Sequence, residues 1–271
     1  MAGKLFVIDG VDGSGKNTQA MQLYLYFISQ GFKADEDVTI VSFPRYHQPS
    51  CKMVEMYLNG ELTNNLNDID PYTASMFYAI DRSISFKTEK WGEVYRNGGI
   101  VIADRYYTSN IIHQGAKIFS STDNRKANGN YYLTADGKFQ KFKEWLYNLE
   151  LQNIGIPSPD KIFWLMTDET SNDSMLQHRV DTDPNHVTDI HEKDRDYLGW
   201  CRYALNKHKQ MYEAHNLKLR NLPFAASEMR SLYTVKRREE FINVLNDKNE
   251  IRSIEEISAE IIELVYDYLH P

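Results

Sequence analysis

Leu5-Phe6-Val7-Ile8-Asp9-Gly10-Val11-Asp12-Gly13-Ser14-Gly15-Lys16-Asn17-Thr18-Gln19 joins a short apolar run to a glycine-rich turn and then to a helix. The run at 5–8 is continuous rather than alternating, as in a strand buried on both faces. Gly10, Gly13 and Gly15 let backbone N–H groups turn inward around phosphate oxygens. The helix that opens at Lys16 adds its unpaired amides and the positive end of its dipole. Strand, glycine loop and helix in that order form a P-loop in its required context, so an ordinary surface turn is the weaker account. Gly10, Asp12, Gly13, Ser14, Gly15, Lys16, Asn17 and Thr18 are therefore the candidate triphosphate ligands, with Lys16 as the mobile cation. One position departs from the pattern. Asn17 stands where the motif places a Ser or Thr hydroxyl on Mg²⁺; its amide oxygen is a hard ligand, and Thr18 contributes if the register shifts.

Four further runs read as strands: residues 38–43, 100–103, 161–166 and, more weakly, 217–222. Helical spacing lies between them. Met21, Leu23, Tyr24, Phe27 and Ile28 form one stripe closed by Gly31, residues 74–91 a second helix and residues 139–152 a third. Ser253 with Glu256 makes a capping box ahead of Ile254, Ile257, Ile261, Leu264, Val265 and Tyr268. Alternating strands and helices imply an α/β fold: a P-loop-type five-stranded parallel sheet covered by helices on both faces. No repeat or linker divides residues 1–271, which read as one domain with a polar lid at about 179–196. Residues 119–138 and 223–249 read as insertions.

Composition narrows the classes. The 271 residues carry 31 Lys+Arg against 38 Asp+Glu, for a net charge of −7, with 42% hydrophobic residues and 2 Cys. Wholesale disorder and fibrous architecture are excluded, and no apolar run approaches the roughly 20 residues that span a bilayer. Net acidity argues against a general nucleic-acid binder. Cys51 and Cys201 lack a CxxC partner, which argues against a disulfide framework or zinc site. The start reaches Asp9 too soon for a signal-peptide core, so a cytoplasmic protein is expected.

The acceptor must be read elsewhere. Phe43-Pro44-Arg45 follows the second strand, Tyr78-Ala79-Ile80-Asp81-Arg82 lies on a helix, and Asp104-Arg105-Tyr106 ends the third strand. Ligands of doubly wound sheets bind beyond the C-terminal strand ends, so Arg45 and Arg105 are expected to converge with Lys16, joined by Arg82. An anionic acceptor about 4 Å from the γ-phosphate costs about 4 kcal/mol per pair of unit charges at an effective dielectric near 20. Such cations offset that repulsion. Asp104 occupies the Walker B type position, where it holds a metal's hydration shell.

On these segments the chain resembles the thymidylate kinase family of P-loop nucleoside monophosphate kinases. The match runs in family order through 9–19, 43–45, 77–82, 104–109, Gln114-Gly115, Pro159-Asp160 and 189–198, covering most of 4–215 and resuming weakly at 251–269. The resemblance implies transfer of the γ-phosphate of ATP to dTMP with Mg²⁺, in a homodimer. It implies Lys16, Arg45, Asp104, Arg105 and the lid residue Arg179 as catalytic, with Arg195 the next lid candidate. Asn17 and Asp104 are the implied metal ligands. The implied dTMP ligands are Asp12 at the sugar 3′-hydroxyl, Phe43, Arg45, Arg82 and Arg105 around the phosphate, Tyr78 stacked on thymine, and Ser109, Asn110 and Gln114 at the base edge. Two alternatives stay open: another nucleotide or deoxynucleoside kinase of the same fold, and a non-catalytic nucleotide-binding protein, suggested by Asn17 and the insertions.

Overall fold

The computed structural model describes residues 3–63, 68–121, 134–182, 195–220 and 238–271. Five parallel strands, β1 (Lys4–Gly10), β2 (Val38–Ser42), β3 (Ile100–Asp104), β4 (Lys161–Met166) and β5 (Glu239–Asn243), lie in the order β2-β3-β1-β4-β5. Ile8 is in register with Asp104 on one side and Phe163 on the other. The chain runs from β1 out to β2, back to β3, and then across β1 to β4. That reversal beside β1 puts a crevice at the C-terminal strand ends, where the glycine turn lies.

The helices in chain order are α1 (Lys16–Ser29), α2 (Lys52–Leu58), α3 (Pro71–Thr88), α4 (Lys90–Arg96), α5 (Ser109–Ser121), α6 (Ala135–Tyr147), α7 (Glu169–Thr182), α8 (Arg195–Arg220) and α9 (Ile254–Leu269). The continuous apolar reading of β1 is realised residue by residue. Leu5 and Val7 enter one core with Trp91, Ile112, Phe139 and Leu205. Phe6 and Ile8 enter the other with Leu23, Phe27, Ile257 and Ile261. All four side chains are fully buried, each contributing about 1.5–3 kcal/mol of burial. A charge at Val7 would have no water on either face.

Several boundaries differ from the sequence expectation. The fifth strand is not 217–222, whose first four residues end α8, but Glu239–Asn243, inside the stretch read as an insertion. This edge strand hides its nature behind two glutamates that distant partners satisfy: Glu240 accepts from Lys161 Nζ at 2.7 Å, and Glu239 from Trp164 Nε1 at 2.9 Å. The helix expected over 74–91 is two, because Glu89 is extended (φ −106°, ψ 166°) between α3 and α4. The third expected helix is α-helical to Tyr147 and then π-helical over Asn148–Ile154, closing at Gly155 with φ +77°. The capping box stands as read: Ser253 Oγ accepts from Glu256 N at 3.1 Å, and Glu256 Oε2 from Ser253 N at 2.8 Å. Most of the expected lid (183–194) and of the 119–138 insertion (122–133) lies outside the described residues. No described helix is long and apolar enough to cross a membrane.

Candidate active site

The glycine turn closes as its sequence requires. Gly13 and Gly15 adopt φ +75° and +87°, a region that side-chain-bearing residues avoid, and Gly15 opens α1. Lys16 is buried and folds back over the loop, its Nζ donating to the Val11 carbonyl at 2.6 Å and lying 3.9 Å from Asp12 Oδ1. Desolvation, helped by Arg105, pulls its pKa down to about 8 against the opposing pull of Asp12, Asp104 and Asp9. Asp9, wholly buried beneath the loop, accepts from Thr108 Oγ1 at 2.5 Å, from Ser109 Oγ at 2.8 Å and from the Gly10 amide at 2.9 Å. Burial pushes the Asp9 carboxyl up. Ser109 is thus spent on locking α5 to the P-loop, and the base-edge contact expected of it is not what this structure shows.

Arg105 and Asp12 meet at the mouth of the loop. Arg105 stands at φ +65° immediately beyond β3, its amide bonded to the Ile8 carbonyl at 3.0 Å, so its side chain turns back to pair with the Asp12 carboxylate. Burial opposes ionisation of Asp12, but Arg105, His113 and Lys16 hold its carboxyl well below the usual range. His113 was not anticipated from the sequence. Its Nε2 lies 3.3 Å from Arg105 Nη1 and 4.0 Å from Asp12 Oδ2, and its Nδ1 lies 3.2 Å from the Tyr197 hydroxyl on α8.

Asp104 takes the position expected of it. Its Oδ2 accepts from Asn17 Nδ2 at 3.2 Å and Ser42 Oγ at 3.5 Å, while its buried Oδ1 has no partner among the described residues. The Ser14 hydroxyl is likewise buried with no partner among the described residues. Unpartnered hard oxygens beside a phosphate cradle fit a Mg²⁺ ion and its waters. A carboxylate only accepts, so Asn17 turns its amide nitrogen to Asp104, and this contact does not use the amide oxygen expected on the metal.

The other two arginines are placed differently from expectation. Arg45 does reach the sheet edge after the cis Phe43–Pro44 bond, but its guanidinium pairs with Glu89, with Nη2 2.6 Å from Oε2. Arg82 is 2% exposed and faces Glu150 of the π-helical segment, which is 0% exposed. Nε donates to Oε2 at 3.0 Å and Nη2 to Oε1. Arg82 is therefore a strut in the core in this arrangement, not a cation open to an acceptor phosphate. Phe43 is also core, packed edge-on against Trp91 with ring centroids 5.7 Å apart. Of the base-edge candidates on α5, Gln114 is 1% exposed and neither of its amide atoms has a partner among the described residues, and the same holds for Nδ2 of buried Asn110. Tyr78 packs, half-buried, against the cluster of Val54, Tyr57 and Ala74.

The sequence model of the thymidylate kinase family matches residues 8–128, which hold the P-loop, both strand-end arginines, Asp104 and the α5 amides. Over this stretch the chain is similar to the thymidylate kinase family. It is 26% identical over 191 residues to the thymidylate kinase of Mycobacterium tuberculosis, spanning 70% of this chain and 78% of that one. It is 28% identical over 181 residues to that of Brachyspira hyodysenteriae, spanning 66% and 71%. The solved thymidylate kinase of Candida albicans shares the fold, with a TM-score of 0.59 at 17% identity over 98% of this chain and 92% of that chain.

Beside the P-loop, α7 adds residues that no motif revealed. Asn172, fully buried, donates from Nδ2 to the Asp12 carbonyl and accepts from Arg202 Nη1 at 3.2 Å. Arg179 falls in the last turn of α7. Arg195, the other lid arginine, opens α8 and lies 3.7 Å from Asp173 on α7, its side chain 82% exposed. Neither Asn172 nor Arg202 belongs to a spaced pattern, so only tertiary packing identifies them.

Proposed function

We propose that this chain is a dTMP kinase: it transfers the γ-phosphate of ATP to dTMP, releasing dTDP and ADP. The observation that carries the reading is the Asp12–Arg105 ion pair set at the P-loop mouth beside Lys16. A guanidinium there meets an acceptor phosphate, and the released carboxylate accepts a sugar hydroxyl. The phosphate oxygen is already nucleophilic, so catalysis consists of positioning and charge compensation. Lys16 bridges the transferring phosphate, and Arg105, joined by Arg45 on release from Glu89, offsets the repulsion between the two anions. The amides of Asn110 and Gln114 offer both donor and acceptor to a pyrimidine edge, and Tyr78 supplies an aromatic face. Filling unpartnered buried amides recovers about 1–3 kcal/mol each. Asp104 would hold Mg²⁺ through its hydration shell, and the ion would supply charge neutralisation between the phosphates. Arg179, at the end of α7, is the lid residue for the transferring group.

Two further parts belong to this reading. The protein works in the cytoplasm and forms a homodimer; the dimer is supported by Met76, Ile80 and Ile84, which are 41–47% exposed at four-residue spacing along α3. Such a stripe is self-complementary across a two-fold axis. The test of the activity is ADP release with ATP, Mg²⁺ and a panel of nucleosides and monophosphates. Turnover is expected with dTMP; turnover with thymidine alone, or ATP binding with no turnover on any acceptor, refutes the proposal.

A further inference from the structure

The contact between α7 and the P-loop is closer than packing alone requires. A methyl group at Gly13 would lie 2.5 Å from Leu176 Cγ and 2.9 Å from Asn172 Nδ2, so α7 rests directly on the turn. Asp168 fixes where that helix starts, its Oδ1 accepting from the Ser171 amide at 2.8 Å and its carbonyl from the Asn172 amide at 3.1 Å. This places Asn172 in the first turn of α7, against the loop. Arginine only donates, so Arg202 Nη1 commits the Asn172 amide oxygen to itself and leaves Nδ2 to face the Asp12 carbonyl. Arg202 Nη2 also reaches Glu169 Oε2 at 3.5 Å, one turn back on the same helix.

The Asp12 carbonyl belongs to the same planar, trans peptide as the Gly13 N–H, and in such a peptide the two point in opposite directions. Holding the carbonyl toward α7 turns the Gly13 N–H away from α7. That N–H has no acceptor among the described residues. Gly13, with φ +75°, lacks the side chain that restricts other residues, so its own conformation fixes the orientation of this peptide only weakly. We infer that Asn172, oriented by Arg202, is a positioning residue that keeps the Gly13 amide turned into the phosphate cradle. This deepens the kinase reading and rests on its nucleotide-binding half. α8 follows the 183–194 segment in the chain, so Arg202 also ties the two helices flanking that segment to the geometry of the loop.

The discriminating variant is Asn172→Asp, which keeps the shape and the Arg202 contact but places an acceptor against the Asp12 carbonyl. ATP affinity is measured directly by calorimetry, with dTMP turnover in parallel. The expected result is about a tenfold or greater loss of ATP affinity with the KM for dTMP unchanged. The Gly13 amide nitrogen resonance should also cease to respond to ATP. Arg202→Gln, which still donates to Asn172, should bind ATP within about threefold of wild type, and Arg202→Leu should fall toward Asn172→Asp. Should Asn172→Asp fail to fold, the Arg202 pair carries the test. ATP affinity unchanged in Asn172→Asp, or Arg202→Gln and Arg202→Leu equally impaired with equal losses of melting temperature, overturns the inference. Because ATP binding is read without an acceptor, wild-type protein that binds ATP but fails on dTMP refutes the kinase reading and leaves this test intact.

Discussion

Glu150→Gln decides whether Arg82 is a core strut or an acceptor ligand. The pair is 2% and 0% exposed and joined by two charge-assisted hydrogen bonds, so removing one charge leaves a guanidinium stranded in the core. Breaking a buried pair in this way costs about 3–5 kcal/mol. With an unfolding entropy of about 2.1 cal/mol/K per residue, the 271-residue chain loses roughly 2 °C of melting temperature per kcal/mol, hence about 5–9 °C. The double variant Arg82→Met/Glu150→Leu removes both charges and keeps the volume, and such replacements are often neutral or stabilising. It should melt within about 3 °C of wild type. The assay is calorimetric melting of all three proteins, followed by the KM for dTMP of the double variant. A strut predicts recovered stability and a near wild-type KM. A stable double variant whose KM rises tenfold or more would show that Arg82 leaves Glu150 to hold the acceptor, and would refute the strut assignment.

Two further outcomes follow from the same structure. Lys16 has its pKa lowered to about 8 in the free protein, and bound phosphates favour its charged form. ATP binding near and above pH 8 should therefore take up a proton, detectable as a dependence of binding heat on buffer, and affinity should fall as pH rises through 8; Lys16→Met should abolish the proton uptake. In the free protein the sign is opposite for stability, since the unfolded chain binds more protons between about 8 and 10.5 and Lys16 then favours folding as pH rises. Ile80→Glu with Ile84→Glu should convert a dimer to a monomer in analytical ultracentrifugation with little change in melting temperature; an unchanged association state would remove the α3 stripe from the interface.

The legible parts of the molecule were those fixed by neighbours in sequence. The strand at 5–8, the glycines of the turn and the Ser253 capping box each depend on residues within a few positions, and each appears where the pattern put it. Asp104 and Arg105 were legible for a related reason, since a strand end in a parallel sheet has a fixed direction. The misread parts depend on partners far along the chain. β5 was hidden because Glu239 and Glu240 are made compatible with a sheet edge by Trp164, His208 and Lys161.

The same distinction governs the arginines. Residue type announces that a cation is available, but its carboxylate partner decides what the cation does, and that partner is 68 residues away for Arg82, 44 for Arg45 and 93 for Arg105. Burial then sets the cost of exchange. Arg105 is 22% and Arg45 28% exposed at the side chain, so water can assist while a phosphate replaces Asp12 or Glu89; Arg82 at 2% has no such help. Asp12 and Glu150 are both nearly buried, so the difference lies on the cation side: an arriving phosphate meets a guanidinium already open to water at Arg105 and a wholly enclosed one at Arg82. Three arginines that look equivalent in the sequence thereby stand apart: Arg105 pairs with Asp12 beside the P-loop, Arg45 with Glu89 at the sheet edge, and Arg82 holds the π-helical segment against α3.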